Sequence, residues 1–262
     1  MVVITTDQRD VILEAVRAMY TEVARSPEKQ FHFPTGRAAC ELLGYPAKVL
    51  DALPERAVES FAGVGYPFAA NVIRSGDVVL DVGSGSGTDV LIAHRLVGTT
   101  GRVIGLDVTP AMRAKLSANV QAAGATNVEV VAGDCELIPL PAASVDVATS
   151  NGVLNLLPNK ARAIAELARV LRPGGRVQIA DIVLVTEAGE ACRNQPQLWA
   201  ECIVGATTEH TYHKLFGAAG FSDVETLSRF DYFAHSASDE TRKVAQSFGA
   251  RAIVLRARKP NE

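Results

Sequence analysis

Hydrophobic residues follow a helical period near the N-terminus and later alternate between short apolar runs and helical stretches. Before residue 70, apolar positions such as Val11, Ala15 and Met19 repeat at helical spacing. From Val78 onward, β-branched runs alternate with such helices, which predicts a largely parallel sheet covered by helices. We expect the last two runs to form an antiparallel pair. The predicted strands are residues 78–80, 102–106, 128–132, 145–150, 177–185, 224–229 and 252–257.

A glycine-rich turn follows the first predicted strand. Asp81 ends the strand, Gly83, Gly85 and Gly87 follow on alternate positions, and a helical pattern comes next. Strand, glycine turn and helix open a doubly wound sheet, whose ligand lies beyond the strand ends. The spacing differs from the dinucleotide turn G-x-G-x-x-G, and Asp81 would repel a pyrophosphate but suits an ammonium or sulfonium group. A dehydrogenase and a tight turn without a ligand are the alternatives.

A second acid, Asp107, closes the next predicted strand. It follows Gly87 by about 20 residues, where an acid can accept hydrogen bonds from both ribose hydroxyls of a nucleoside. Two acids at the ends of successive strands, with a glycine turn between them, favour a nucleoside ligand that carries positive charge.

These features resemble motif I of the class I S-adenosylmethionine (AdoMet) methyltransferases. The resemblance implies an α/β fold with a doubly wound, Rossmann-like sheet of seven strands. It also implies AdoMet as cofactor and S-adenosylhomocysteine as product, with Asp134 accepting from the adenine amino group and Cys135 lining the ring. The cofactor-binding residues that it implies are Asp81, Gly83, Ser84, Gly85, Gly87, Asp107, Val108, Asp134, Cys135 and Asn151.

The resemblance also implies how the chain is divided. Residues 1–70 are predicted to form a helical N-terminal lid over the cofactor, with an ordinary helical packing arm as the alternative. Residues 71–262 form the AdoMet-binding domain. Within it, a change of composition marks residues 186–222 as a substrate-side insertion, with predicted helices at 198–206 and 212–219.

Longer stretches resemble the arsenite methyltransferase group more specifically, from about residue 46 to residue 221. That group holds trivalent arsenic with cysteine thiolates, soft ligands for a soft element. Here Gly152 and Val64 stand at two of the family's cysteine positions, residues 31–34 replace its N-terminal cysteine pair, and only Cys202 is retained. One thiolate cannot chelate arsenite as three do, so we predict a small-molecule acceptor in a changed pocket.

Two alternatives to this prediction stay open. The chain could be a genuine arsenite methyltransferase if Cys40 or Cys192 joins Cys202. It could instead bind AdoMet without catalysis, which the complete set of cofactor motifs disfavours.

Methyl transfer is an in-line displacement, in which the protein mainly aligns the acceptor and excludes water. The catalytic candidates are His32 as a general base, Asn151 at the reacting strand end, and Cys202. Loss of the cysteine at Gly152 is expected to open room beside the methyl group for a bulkier acceptor. No metal site is predicted, because no metal-spaced cluster of ligands is evident.

Composition limits the partners. Lys and Arg number 26 against 29 Asp and Glu, so the net charge is −3, and no basic block favours nucleic acid. No apolar run reaches the roughly 18 residues needed to span a membrane. The first 20 residues are too charged for a signal peptide, and none of the 4 cysteines forms a C-x-x-C pair. We therefore predict a cytoplasmic monomer or homodimer that acts on a small molecule.

Overall fold

The computed structural model describes residues 6–187, 189, 199 and 203–261. Eight strands lie in this part of the chain. They are β1 (Val78–Val82), β2 (Arg102–Asp107), β3 (Val128–Ala132), β4 (Val145–Asn151), β5 (Leu171–Leu184), β6 (Thr207–Thr208), β7 (Ser222–Phe230) and β8 (Arg251–Arg258). Seven form the sheet β3-β2-β1-β4-β5-β8-β7, and the two-residue β6 pairs with β5. The predicted doubly wound α/β fold is confirmed.

The direction and order of the strands indicate where a ligand crevice is expected. The pairs among β1 to β5 are parallel, whereas β8 runs antiparallel to both β5 and β7. β1 lies between β2 and β4, so the order of strands reverses there. In open α/β sheets the ligand crevice lies outside the carboxyl ends of the strands at this point of reversal.

Helices flank the sheet and precede it. Three short 3₁₀ helices also occur, at Pro67–Ala70, Leu154–Leu156 and Tyr232–His235. The α-helices in the described residues are α1 (Thr6–Arg25), α2 (Gly36–Leu42), α3 (Ala47–Leu50), α4 (Glu55–Val58), α5 (Thr88–Val97), α6 (Pro110–Ala122), α7 (Lys160–Val170), α8 (Glu209–Ala218) and α9 (Asp239–Phe248).

Three local predictions need correction. Residues 172–175 precede the predicted strand 177–185, but they lie within β5 as a register shift against β4, with Gly174 at φ 74°. The predicted helix 198–206 lies largely outside the described residues, and 203–206 is not helical. The sequence analysis missed α9, which Ser238 caps by accepting from the Thr241 N–H.

The sheet buries both of its faces. Leu80 and Val82 of β1 pack in one cluster with Ile164 of α7, whereas Val79 packs in a second cluster with Leu91 of α5. Successive side chains of a strand point to opposite faces, so α7 and α5 cover opposite sides. This double cover explains why the strands are apolar runs rather than alternating patterns.

The N-terminal helix packs against the sheet domain. Ile12 and Val16 of α1 share a third buried cluster with Met112 of α6 and with Leu156. No helix in the described residues is long and apolar enough to cross a membrane. The cytoplasmic location stays a prediction.

We predict that Gly87→Ala destabilises the fold more than Gly124→Ala. Both glycines have positive φ, 101° and 61°, so alanine costs about 1–2 kcal/mol at either position. A Cβ at Gly87 would lie 2.4 Å from Leu116 Cδ1 of α6, whereas no atom lies within 4 Å at Gly124. Overpacking should therefore cost Gly87→Ala about 1–3 kcal/mol more in urea denaturation. Equal losses would contradict close packing of the turn on α6.

Candidate active site

A cleft opens at the carboxyl ends of β1, β2 and β4, where the strand order reverses. It encloses about 950 Å³, counting its open mouth. Its acidic side is formed by Asp81, Asp89, Asp107 and Asp134. Its apolar wall is formed by Leu13, Val16, Tyr20, Phe61, Ala62, Met112, Val153, Leu156 and Leu157.

The glycine turn after β1 uses its backbone amides within the protein. The N–H groups of Gly83 and Ser84 both donate to the Leu106 carbonyl, at 2.8 and 3.0 Å. The N–H of Gly85 donates to the Asp107 carboxylate at 2.8 Å. Pyrophosphate binding at such a turn depends on free N–H groups. The turn is therefore unsuited to a dinucleotide, as its spacing predicts.

The three turn glycines serve different purposes. A Cβ at Gly83 would lie 2.3 Å from Val153 Cγ2, so this glycine is required by packing. Gly87 is likewise packed on Leu116 and does not line the cleft. Gly85 has φ 52°, lines the cleft and has no atom within 4 Å of its Cβ position. Of the three, Gly85 leaves open space that a ligand can approach.

Asp107 ends β2 with hydrogen-bonding capacity to spare. Its Oδ2 accepts from the Gly85 N–H at 2.8 Å and its Oδ1 from the Thr109 N–H at 2.7 Å. Burial raises the pKa of this carboxyl, and the two backbone hydrogen bonds oppose that rise. A carboxylate has about four acceptor positions, and the Thr109 hydroxyl takes a third beside the two N–H groups, so Asp107 keeps acceptor capacity for a ribose hydroxyl.

A third buried acid, Asp89, was missed by the sequence analysis. It lies in the first turn of α5 and lines the cleft together with Asp81. Burial raises the pKa of Asp89 to about 6, while hydrogen bonds from Tyr45 and Asn151 lower it. Burial also raises the pKa of Asp81 well above its ordinary value, and the charges of Asp89 and Asp107 add to the rise.

Asn151 has its side-chain amide fully engaged within the protein. Its Oδ1 accepts from the N–H groups of Val64 and Gly65, at 2.7 and 3.2 Å. Its Nδ2 lies within hydrogen-bond distance of Tyr45 Oη, the Gly65 carbonyl and Asp89 Oδ2. Asn151 lines the cleft, but with its amide engaged in this way it has no spare hydrogen-bonding group for the predicted catalytic role, and its contact with the cofactor stays a prediction. Its side chain instead holds residues 62–65 against the strand end.

Asp134 lies at the rim of the cleft under the N-terminal helix. The Arg9 guanidinium of α1 pairs with Asp134 and also donates to Glu136 Oε2 at 2.9 Å. The Glu136 N–H donates to Asp134 Oδ1 at 2.8 Å. Cys135 lines the cleft, and burial raises the pKa of its thiol well above the ordinary value. It is therefore a wall residue rather than a thiolate nucleophile.

The structure does not bring all predicted catalytic residues to the cleft. His32 does not line it; the ring packs edge-on against Phe33 with centroids 4.6 Å apart, and its carbonyl accepts from the Ser236 hydroxyl. This arrangement does not support His32 as the general base, which stays an untested prediction. Cys202, like Cys192, lies outside the described residues. Val108 and Ser84 do line the cleft.

Two positions at which the sequence suggested lost cysteines are neighbours. A Cβ at Gly152 would lie 3.2 Å from Val64 Cγ1. Gly152 also has φ 72°, a conformation that suits glycine and strains other residues. The expectation of open room at this point is therefore wrong, because the Val64 side chain already fills the space toward which a residue 152 side chain would point.

Sequence reasoning missed Arg9, Tyr45 and Glu136 as well as Asp89. Asp89 had a visible signal, since an acid in the first helical turn after a glycine loop faces the same crevice. Arg9 of α1 and Tyr45, between α2 and α3, are far away in the sequence, and nothing local indicates their partners. In the described residues, no group of three His, Cys, Asp or Glu side chains could hold a metal ion.

Comparisons with known proteins agree with this geometry. A family model described as a methyltransferase domain matches residues 73–220. The crystal structure of an arsenic(III) S-adenosylmethionine methyltransferase from Chlamydomonas reinhardtii superposes with a TM-score of 0.64 at 31% identity, covering 87% of this chain and 74% of that one. Fold and site thus define the class of AdoMet-dependent methyltransferases.

Within this class, the chain is similar to curated arsenite methyltransferases. The arsenite methyltransferase of Halobacterium salinarum is 38% identical over 73% of this chain and 49% of its own length. That of Aquipseudomonas alcaligenes is 32% identical over 71% of this chain and 56% of its own. The chain belongs to the methyltransferase domain family and is similar to its arsenite methyltransferases. It spans about half the length of these curated relatives.

We predict that Arg9→Ala destabilises the protein while Arg17→Ala does not. Arg9 neutralises Glu136, whose side chain is 2% exposed, whereas Arg17 lies on the exposed face of the same helix. Removing a partner from a buried charged group costs about 1–3 kcal/mol, and an exposed substitution stays within about 0.5 kcal/mol. Chemical denaturation of both variants measures the difference. If the unfolding midpoint and slope of Arg9→Ala matched those of Arg17→Ala, the contact between α1 and Glu136 would not stabilise the fold.

Proposed function

We propose that this chain transfers the methyl group of AdoMet to a small-molecule acceptor by in-line displacement. The observation that carries the proposal is the cleft itself. Its acids lie at the ends of β1 and β2, its turn amides are engaged, and Gly85 is open toward its space. This combination fits a cationic nucleoside better than a dinucleotide.

The residues of the cleft fit AdoMet piece by piece. Asp107 has spare acceptor capacity for the ribose hydroxyls, and Asp81 presents negative charge to the methionyl part. Asp134, whose carboxylate also pairs with Arg9, would accept from the adenine amino group, and Cys135 would lie against the ring. When bound, AdoMet supplies an electrophilic methyl group.

The protein's own contribution is to position the reactants and exclude water. Leu13 and Val16 of α1 and Leu156 line the apolar wall, so α1 can act as the lid predicted for residues 1–70. Enclosure of this kind holds the acceptor close to in-line contact and excludes water. Because His32 lies outside the cleft and the Asn151 amide is engaged, we expect an acceptor that is nucleophilic without proton transfer to either residue.

The contact between Val64 and Gly152 supports an acceptor other than arsenite. It places an isopropyl group and a glycine where the resemblance led us to expect two thiolates. Thiolates are the ligands that bind a soft metalloid. Without thiolates at these two positions, an organic acceptor is favoured over arsenite.

Arsenite methylation is the second candidate function. It is favoured by the names of the relatives and by Cys202, which the resemblance aligns with a family cysteine. Binding of AdoMet without catalysis is the third, and it would leave the apolar acceptor wall without a purpose.

We predict that S-adenosylhomocysteine binds at micromolar concentrations and that arsenite does not bind to that complex. Calorimetric titration under thiol-free reducing conditions measures both, and assay of S-adenosylhomocysteine production from AdoMet with arsenite provides the catalytic readout. Cys202→Ser serves as the matched control. Tight arsenite binding that disappears in Cys202→Ser would establish the second candidate. Absence of S-adenosylhomocysteine binding would reject the methyltransferase proposal itself.

A further inference from the structure

Asp81 is a buried carboxylate without a protein partner. The residue is 2% exposed and lines the cleft. No hydrogen bond or ion pair to its carboxylate occurs among the described residues, although Asp89 and Asp107 both act on it electrostatically. An unpartnered buried charge is costly, so this carboxylate should either carry a proton or face a ligand that supplies positive charge.

Asp89 also lines the cleft and is buried, but unlike Asp81 its carboxylate accepts two hydrogen bonds from the protein. The residue is 6% exposed, its Oδ1 accepts from the Tyr45 hydroxyl at 2.7 Å, and its Oδ2 accepts from Asn151 Nδ2 at 3.0 Å. These two neutral donors come from the segment before α3 and from the end of β4. They fix the direction of the carboxylate without neutralising its charge.

No protein cation balances this pair. Lys and Arg are absent from the described residues that line the cleft. The titratable groups that interact electrostatically with Asp81 or Asp89 from the surrounding elements are an acid, two phenols and a thiol. They are Asp107 of β2, Tyr45, Tyr66 and Cys40 of α2. The missing positive charge must therefore come from solvent as a proton or from a ligand.

We propose that Asp89 is a second anionic residue of the cofactor site, and that Asp81 and Asp89 together hold one proton in the free protein and exchange it for the ligand's α-ammonium group. The inference rests on the proposed function. In the exchange, the O–H bond of one carboxylic acid breaks and the proton leaves to solvent. The ammonium group stays protonated, and its N–H groups donate hydrogen bonds to the two carboxylates.

The number of N–H donors favours the ammonium group of the ligand over its sulfonium group as the partner of Asp81 and Asp89. An ammonium group carries three N–H donors, which match the unfilled acceptor positions on Asp81 and Asp89. A sulfonium has no N–H donor, and its methyl group must stay open to the acceptor. Tyr45 is then a positioning residue, because it touches Asp89 and is absent from the cleft lining.

The test is proton release measured by calorimetry. S-adenosylhomocysteine is titrated at pH 7 in two buffers of different ionisation heat, next to its analogue that lacks the α-amino group. The wild-type protein should release about one proton per S-adenosylhomocysteine and none with the analogue. Asp89→Asn should abolish most of the release and weaken S-adenosylhomocysteine binding about tenfold or more, with analogue binding unchanged.

Two further variants keep the test decisive if Asp89→Asn does not fold. Tyr45→Phe removes a hydrogen bond that lowers the pKa of Asp89, so its proton release should extend to higher pH. Asp51→Asn, an exposed acid on the surface, should behave as wild type. Binding of S-adenosylhomocysteine without proton release, or equal weakening of both ligands by Asp89→Asn, would overturn the inference. Failure of the wild type to bind at all would instead reject the proposed function.

Discussion

The attachment of the glycine turn to the end of β2 is the interaction on which the site depends. The Leu106 carbonyl and the Asp107 carboxylate together take the N–H groups of Gly83, Ser84 and Gly85. This fixes a left-handed backbone that would otherwise be free to move, and it removes the donors that a phosphate would need. The chemistry of the ligand is thus decided by backbone hydrogen bonds as much as by the acids around them.

A second layer of order comes from the end of β4. Asn151 fastens residues 62–65 across the strand end, and a Cβ at Gly63 would lie 2.5 Å from its Nδ2. The same amide orients Asp89, so one side chain couples the acceptor side of the cleft to its acidic side. Val64, carried by that segment, is pressed against Gly152. The position of Ala62 and Gly63 in the cleft lining is therefore a consequence of how this segment is held.

Local pattern sufficed for the sheet and for the acids at strand ends. The strands, Asp81, Gly85 and Asp107 follow from apolar periodicity and from spacing, since each lies next to its own signal. Asn151 was placed correctly at a strand end, but its role depends on Tyr45 and Val64, which are distant in sequence. Arg9 and Glu136 likewise meet only through the tertiary fold. His32 was misplaced because an aromatic loop gives no information about the direction that it faces.

The most direct test of this account is the cofactor preference of the folded protein. Competition between S-adenosylhomocysteine and NADH, followed by NADH fluorescence, compares the two nucleoside ligands at one site. Engaged turn amides and buried carboxylates predict that S-adenosylhomocysteine binds and that NADH does not, even at millimolar concentration. NADH binding that S-adenosylhomocysteine cannot displace would contradict the account, because the N–H groups of Gly83, Ser84 and Gly85 that a pyrophosphate would need are already engaged within the protein.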